Sequence, residues 1–175
     1  LGPMGTFAMV NFSDRRYEHF TDLRGYGRYC VGDKRNAVYV PEKQVLVVKG
    51  QEVPTLQGHL LVLGLGYDVH MKEHKPLEYS LKEAEDKKGI IVADHPFEKD
   101  GIGNYLLQNQ DLGVFLDAVE VFNGETSLFP RANARAVELY QKLKNNYPFL
   151  GALSSSDGHS FYELGRNWTE IDKPF

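Results

Sequence analysis

The feature that most restricts the fold is a series of short, apolar, β-branched runs that alternate with segments of helical periodicity. Strands are predicted at 39–49, 58–65, 90–93, 118–122 and 149–153. Apolar residues recur at helical spacing between 77 and 88 and again between 132 and 144, which predicts two amphipathic helices. Runs that are apolar on both faces are typical of parallel sheets covered by helices. The order therefore predicts an α/β fold built from βα units around a parallel sheet or barrel.

Composition favours one globular domain over residues 1–175. The apolar fraction of 42% is inside the globular range, and 175 residues are enough for one core but not for two of ordinary size. The single cysteine, Cys30, excludes an internal disulfide. A net charge of −4 gives no basis for a broad nucleic-acid surface, and no apolar run approaches the roughly 20 residues of a membrane span. We therefore expect a soluble, cytoplasmic protein.

Histidines and carboxylates cluster at the predicted strand boundaries. His59, His95 and His159 each lie at such a boundary, and Asp157 is separated from His159 by one residue, so both side chains of an extended segment project to the same side. Glu52 follows the end of a strand. In βα folds the chemistry lies at the C-terminal strand ends, and imidazoles with carboxylates bind Zn, Mn or Fe. The simpler alternatives are a solvated turn for Glu52, a capped turn for His95 and an Asx turn at Asp157.

Several motifs, in order, resemble those of the PHP (polymerase and histidinol phosphatase) superfamily. They are Gly50-Gln51-Glu52-Val53-Pro54-Thr55, Gly58-His59-Leu60-Leu61, His95-Pro96-Phe97, Val119-Glu120-Val121-Phe122-Asn123-Gly124, and Ser156-Asp157-Gly158-His159 with Leu164-Gly165. The resemblance implies a distorted (β/α)7-type PHP barrel, two or three divalent metal ions and hydrolysis of phosphate esters. It also implies that Glu52 bridges metals, that His59, His95, Asp157 and His159 are further ligands, and that Glu52, His95, Asp157 and His159 form the catalytic centre. Glu120 and Asn123 are expected to shape the strand end.

The chain departs from the family pattern at its beginning. Members of the superfamily usually begin with a strand that carries a His-x-His pair and soon afterwards have a Thr-Asp-His turn, and neither is present here. We therefore expect a barrel that is incomplete at the N-terminus, with one βα unit of about 25–35 residues missing before Leu1. Asp14 stands near the expected turn as a substitute ligand, and Arg15 and Arg16 are candidates for phosphate binding.

The leading hypothesis is a metal-dependent phosphatase or phosphodiesterase that uses metal-activated water. Its expected partners are a small phosphorylated substrate or nucleotide and the missing N-terminal part of the same protein. No interaction with a membrane is expected. The alternative is a catalytically impaired PHP-like module with a structural or regulatory role, which the absent His-x-His pair favours. A third hypothesis is amide hydrolysis on the same metal scaffold, because fold alone does not determine the reaction.

Overall fold

The computed structural model describes residues 5–11, 29–31, 36–66, 68–125 and 131–170. The chain divides into two compact units. The first unit comprises Leu1–Leu56 and Leu60–Ile91, and the second comprises Gln57–His59 and Val92–Phe175. Each unit contains both helix and strand, so the chain is mixed α/β, as the sequence predicts. The expectation of one domain over all 175 residues stays a prediction.

The first unit combines parallel and antiparallel strand pairing. Its elements are β1 (Gly5–Asn11), β2 (Tyr29–Val31), β3 (Ala37–Val40), β4 (Val45–Pro54), most of β5 (His59–Leu63) and the helix α1 (Leu77–Asp86). Strand β1 runs parallel to β4, with Gly5 opposite Val45. Strand β3 is antiparallel to β4, and β2 is antiparallel to β3. The antiparallel pairs depart from the uniformly parallel pattern that the sequence suggested.

The strand predicted at 39–49 is in fact a hairpin. Residues Pro41–Lys43 form a 3₁₀ turn and Gln44 adopts a left-handed conformation, because Pro41 has no N–H to continue a strand ladder. Gly50 does not end the second strand of the hairpin, since β4 continues to Pro54. A Cβ at Gly50 would lie 2.7 Å from Leu63 Cδ2, so the glycine is explained by close strand packing instead of by a turn.

Helix α1 buries one apolar face in the core of the first unit. Leu77, Leu81 and Ala84 are fully buried, which confirms the face predicted from their spacing. The helix ends at Asp86, two residues before the predicted end. Gly89 follows it, and a Cβ there would clash with Val62 Cγ1, so the helix must end before this close approach to β5.

Two buried polar side chains of β4 fix the segment that follows β5. Lys49 is fully buried, and its Nζ donates to the carbonyl oxygens of Gly66 (2.9 Å) and Val69 (2.7 Å). Gln51 accepts the Met71 N–H (2.7 Å) and donates to the Met71 carbonyl (3.3 Å). These bonds connect the segment 66–71 to β4 and give the buried Lys49 and Gln51 side chains hydrogen-bond partners.

The second unit contains the parallel strands that the sequence predicts. Its elements are the end of β6 (Ile90–Ala93), α2 (Gly103–Gln108), a 3₁₀ segment (Gln110–Phe115), β7 (Ala118–Asn123), α3 (Ala132–Asn146) and β8 (Gly151–Ser155). Strand β7 pairs in parallel with both β6 and β8. No helix in the described ranges has the length and apolar character to cross a bilayer.

Strand β8 lies two residues later than predicted. The prediction placed it at 149–153, but Phe149 is fully exposed and belongs to a turn in which the Leu150 N–H donates to the Tyr147 carbonyl. Because β8 extends to Ser155, two residues beyond its predicted end, Ser155 pairs with Asn123 at the end of β7. The residues just beyond these two positions therefore emerge side by side at one edge of the second unit.

Candidate metal centre

Gly58 allows His59 to reach the loop that follows β6. The His59 N–H donates to the Asp100 carbonyl (2.7 Å), and His59 forms a parallel bridge with Gly101. Gly58 has φ +137°, and a Cβ there would lie 2.5 Å from the Asp100 oxygen. Only glycine fits both the conformation and the space. The result is that the His59 and His95 rings lie with their centroids 5.7 Å apart at an interplanar angle of 69°.

His95 is held by a compact loop directly after β6. The loop is closed by hydrogen bonds from Glu98 N–H to the His95 carbonyl (3.0 Å) and from Gly103 N–H to the Pro96 carbonyl (2.6 Å). His95 has φ +24°, an uncommon conformation for a residue other than glycine, and the following proline further restricts it. Its Nε2 lies 3.4 Å from Asp94 Oδ2. A strained and largely buried histidine at a strand end is typical of a functional position.

Glu125, Asp157 and His159 form a second group at the ends of β7 and β8. One ligand atom from each lies within 4.8 Å of the others. His159 Nδ1 lies 3.0 Å from Glu125 Oε2 and 3.9 Å from Asp157 Oδ1. Because Asn123 pairs with Ser155, Glu125 and Asp157 each stand two residues beyond a paired position. The register of two parallel strands thus brings these carboxylates together.

The backbone after Asp157 is fixed by local hydrogen bonds. Asp157 has φ +45°, a left-handed conformation that aspartate tolerates better than most residues. Glu163 Oε2 accepts the N–H groups of His159 (3.0 Å) and Ser160 (2.8 Å). The hydrogen bond with Ser160 is the main cause that lowers the pKa of the exposed Glu163 carboxyl. These contacts hold the turn that carries His159.

Glu120 is a buried carboxyl with hydrogen bonds to the ends of β6, β7 and β8. Its side chain accepts hydrogen bonds from the His95 N–H (2.6 Å), the Ser155 hydroxyl (2.5 Å) and Asn123 Nδ2 (3.2 Å). Burial is the largest effect on its pKa and raises it, while the Ser155, His95 and Asn123 hydrogen bonds oppose the rise. Glu120 therefore ties the ends of β6, β7 and β8 to one another.

Glu98 interacts electrostatically with members of both groups and was not predicted from the sequence. Its pKa is raised mainly by burial; the charge of His95 opposes the rise, and the charges of Asp157, Glu120 and Glu125 add to it. Its Oε1 atom is buried and makes no hydrogen bond to any residue that the structure describes. A buried carboxylate oxygen without a partner is costly unless a cation or donor compensates it.

The donor set of the second unit fits a divalent cation. Carboxylates and imidazoles are the ligands that Zn, Mn and Fe share. Glu98 interacts electrostatically with Glu120, Glu125 and Asp157, and a positive charge nearby would relieve the repulsion between Glu98 and these carboxyl groups. The buried Oε1 of Glu98 supplies a further oxygen without a described donor. The residues present therefore fit a metal ion.

The second unit contains four of the predicted ligands, in two pairs, and adds two carboxylates, Glu98 and Glu125. His59 and His95 form one group, and Asp157 and His159 lie in the other. Glu125 could have been found from the turn Asn123-Gly124, which places it at the same edge as Asp157. Glu98 had a weaker signal, its position three residues after His95.

The remaining predicted residues are placed elsewhere or not described. Glu52 lies half-buried on β4 of the first unit, and its convergence with the histidines stays a prediction. Asp14, Arg15 and Arg16 lie outside the described residues.

Comparison with known proteins identifies a shared fold. No protein-family profile and no curated protein sequence matches the chain. A two-domain protein from Bacteroides vulgatus that contains a predicted PHP-like metal-dependent phosphoesterase has a TM-score of 0.55 at 14% identity, over 89% of this chain and 43% of that chain. PsfC from Pseudomonas syringae has a TM-score of 0.63 at 18% identity, over 90% of this chain and 64% of that one. The chain thus spans less than two thirds of each of these two proteins and shares their fold.

Proposed function

We propose that this chain is a metal-binding part of a PHP-superfamily phosphoesterase that hydrolyses phosphate mono- or diesters. The observation that carries the proposal is the group Glu125, Asp157 and His159, whose ligand atoms lie within 4.8 Å of one another at adjacent strand ends. The structural similarity to a protein that contains a predicted PHP-like phosphoesterase supports the same class. The incomplete (β/α)7-type barrel expected from the sequence is part of this proposal.

The charge of the site favours metal-dependent chemistry over direct binding of phosphate. Glu98 interacts electrostatically with Glu120, Glu125 and Asp157, and an acidic site of this kind would repel a phosphate ester. A bound divalent cation supplies positive charge for the phosphoryl oxygens and lowers the pKa of water toward 7. In this proposal Asp157, His159 and Glu125 hold one cation, and His59 and His95 hold a neighbouring one.

The sequence adds two finer elements to the proposal. By resemblance to the superfamily, Glu52 would bridge two metal ions. Arg15 or Arg16 would face the phosphate group of the substrate. The expected substrate is a small phosphorylated molecule or nucleotide, and the expected metals are Zn, Mn or Fe. These assignments rest on the motifs, and the fold similarity is compatible with them.

The test combines metal analysis with phosphate-ester hydrolysis. The full-length protein is purified without chelator, its metal content is measured by emission spectroscopy, and nitrophenyl phosphate and bis-nitrophenyl phosphate are assayed with added Zn²⁺ or Mn²⁺. We expect bound metal and a turnover that a chelator removes. If the protein contains no metal, the proposed metal centre is wrong. If it binds metal but hydrolyses neither ester, the proposed phosphoesterase activity is wrong, and the catalytically impaired module with a structural or regulatory role is favoured.

A further inference from the structure

Asn123 links Glu120 to the predicted ligand Asp157. Its Nδ2 donates to Glu120 Oε2 (3.2 Å) and to Asp157 Oδ2 (3.0 Å). The Glu125 N–H donates to Asn123 Oδ1 (2.7 Å), which fixes the orientation of the amide, because only the oxygen can accept that bond. The side chain is almost completely buried, with 2% of its surface exposed.

The backbone of Asn123 is itself held by helix α3. Asn133 Oδ1 accepts the Asn123 N–H (2.9 Å), and Asn133 Nδ2 donates to the Asn123 carbonyl (3.2 Å). The end of β7 is therefore fixed on its backbone and on its side chain. A side chain held in this way can hold Asp157 in one orientation.

Glu120 completes the connection to His95. Its Oε2 accepts both the Asn123 amide and the His95 N–H, so one buried oxygen connects the strand that ends at His95 to the segment that carries Asp157. The Ser155 hydroxyl on Glu120 Oε1 adds β8 to the same network. Glu120, Asn123 and Ser155 can therefore determine where the ligands His95 and Asp157 stand without touching a metal ion themselves.

We propose that Glu120 and Asn123 are positioning residues that hold Asp157 and His95 at a fixed separation and thereby set the divalent-cation affinity of the site. The inference rests on the proposed metal centre. Asn123 occupies Asp157 Oδ2, which leaves Oδ1, the oxygen 3.9 Å from His159 Nδ1, directed toward the ligand group. Hydrogen bonds that orient ligands in this way typically change metal affinity about 10- to 100-fold when they are lost.

The test measures Zn²⁺ affinity by competition with a chromophoric chelator, without any activity assay. Asn123→Ala removes the donor to Asp157 and should weaken Zn²⁺ binding about 10-fold or more. Glu120→Ala should have a similar or larger effect. Glu120→Gln should restore near wild-type affinity, because an amide can accept the His95 and Asn123 bonds with its oxygen and donate to Ser155 with its nitrogen.

Thr169→Val is the matched control, at a side chain that is hydrogen-bonded to β8. Thr169 Oγ1 accepts the Ser154 N–H (2.8 Å) and donates to the Ser154 carbonyl (3.0 Å), one residue before Ser155 but outside the network. Its loss removes two hydrogen bonds and should leave Zn²⁺ affinity unchanged. Thermal unfolding of the metal-free variants, measured with the same samples, identifies any variant that fails to fold.

The outcomes separate this inference from the proposed function. If the wild type binds no Zn²⁺, the metal centre itself is wrong. If the wild type binds Zn²⁺ and folded Asn123→Ala binds it equally well, the positioning role is wrong while the metal centre stands. An equal loss in Thr169→Val, or no recovery in a folded Glu120→Gln protein, would also overturn the inference.

Discussion

Two predicted ligands, His95 and Asp157, have backbone conformations with positive φ, at +24° and +45°. Such conformations cost about 1–3 kcal/mol for residues other than glycine and persist only where the surrounding structure imposes them. The conformation of His95 is held by the hydrogen bonds of the loop after β6, and that of Asp157 by the hydrogen bond from the Asn123 amide. The strain falls at the two positions where the site needs side chains aimed in one direction.

Asp157→Asn separates the charge of Asp157 from its conformational role. Asparagine adopts left-handed φ as readily as aspartate, and its amide oxygen can accept the bond from Asn123. We therefore expect metal-free stability to change little, while Zn²⁺ affinity falls by more than the roughly 10- to 100-fold that loss of an orienting hydrogen bond costs. Asp86→Asn, at the exposed end of α1, is the control. Equal Zn²⁺ affinities of Asp157→Asn and the wild type in calorimetric titration would contradict the ligand role.

Glu98→Gln tests the buried carboxylate through pH. Burial, the largest cause, raises the pKa of Glu98 above its usual 4.5 in the folded state. The stability contribution of this residue is therefore fully present below pH 4.5 and is lost as the pH rises through the folded-state pKa. In thermal unfolding with chelator, Glu98→Gln should gain stability relative to wild type from pH 4.5 upward. A difference that is constant with pH would count against this assignment, and saturating Zn²⁺ should reduce the difference.

At the scale of elements, Gly58 allows residues 57–59 to pack closely against the turn at 100–102. Gly58→Ala adds a methyl group 2.5 Å from the Asp100 oxygen at φ +137°, so the segment that carries His59 must move. We expect a loss of more than about 2 kcal/mol in unfolding free energy together with weaker Zn²⁺ binding.

Gly165→Ala is the matched control for this prediction. Gly165 also has positive φ, +74°, but a Cβ there would have no neighbour within 4 Å. The change should lower the unfolding free energy by about 1–2 kcal/mol, because alanine is less stable than glycine at positive φ, and it should leave Zn²⁺ affinity unchanged. Urea unfolding and metal titration of both variants check the contrast. Equal costs in the two variants would show that the contact with Asp100 is unimportant.

Element types were predictable where periodicity was strong and local. Strand β6 matches the predicted 90–93, and the buried face of α3 matches the apolar residues predicted from 132 to 144. The hairpin at Pro41 and the two-residue shift of β8 were missed because turn chemistry decided them. Helix α2 was missed because six residues are too few to show a helical period.

The ligand types were predictable from motifs, but their supporting contacts were not. Asp157 and His159 stand out by their spacing, whereas the turn Asn123-Gly124 is the only sequence signal for Glu125, and its closeness to Asp157 follows from the β7–β8 register. For Glu98 the position three residues after His95 is a weak signal, and the burial of its Oε1 is known only from the structure. Such tertiary contacts join residues from separate strands and loops, and no local pattern in one sequence encodes them.

At the scale of the whole molecule, metal binding should appear as stability of the chain. A ligand that binds only the folded state adds about 2.7 kcal/mol at 100 times its Kd, which for a chain of this size raises Tm by about 5–10 °C. Calorimetric scans with Zn²⁺ and with chelator should show this difference for the wild type and for Thr169→Val. Asp157→Asn should lose most of the Zn²⁺-dependent rise at the same metal concentration, because the cation would then bind the folded state more weakly. A rise of equal size in Asp157→Asn would place the metal at another site.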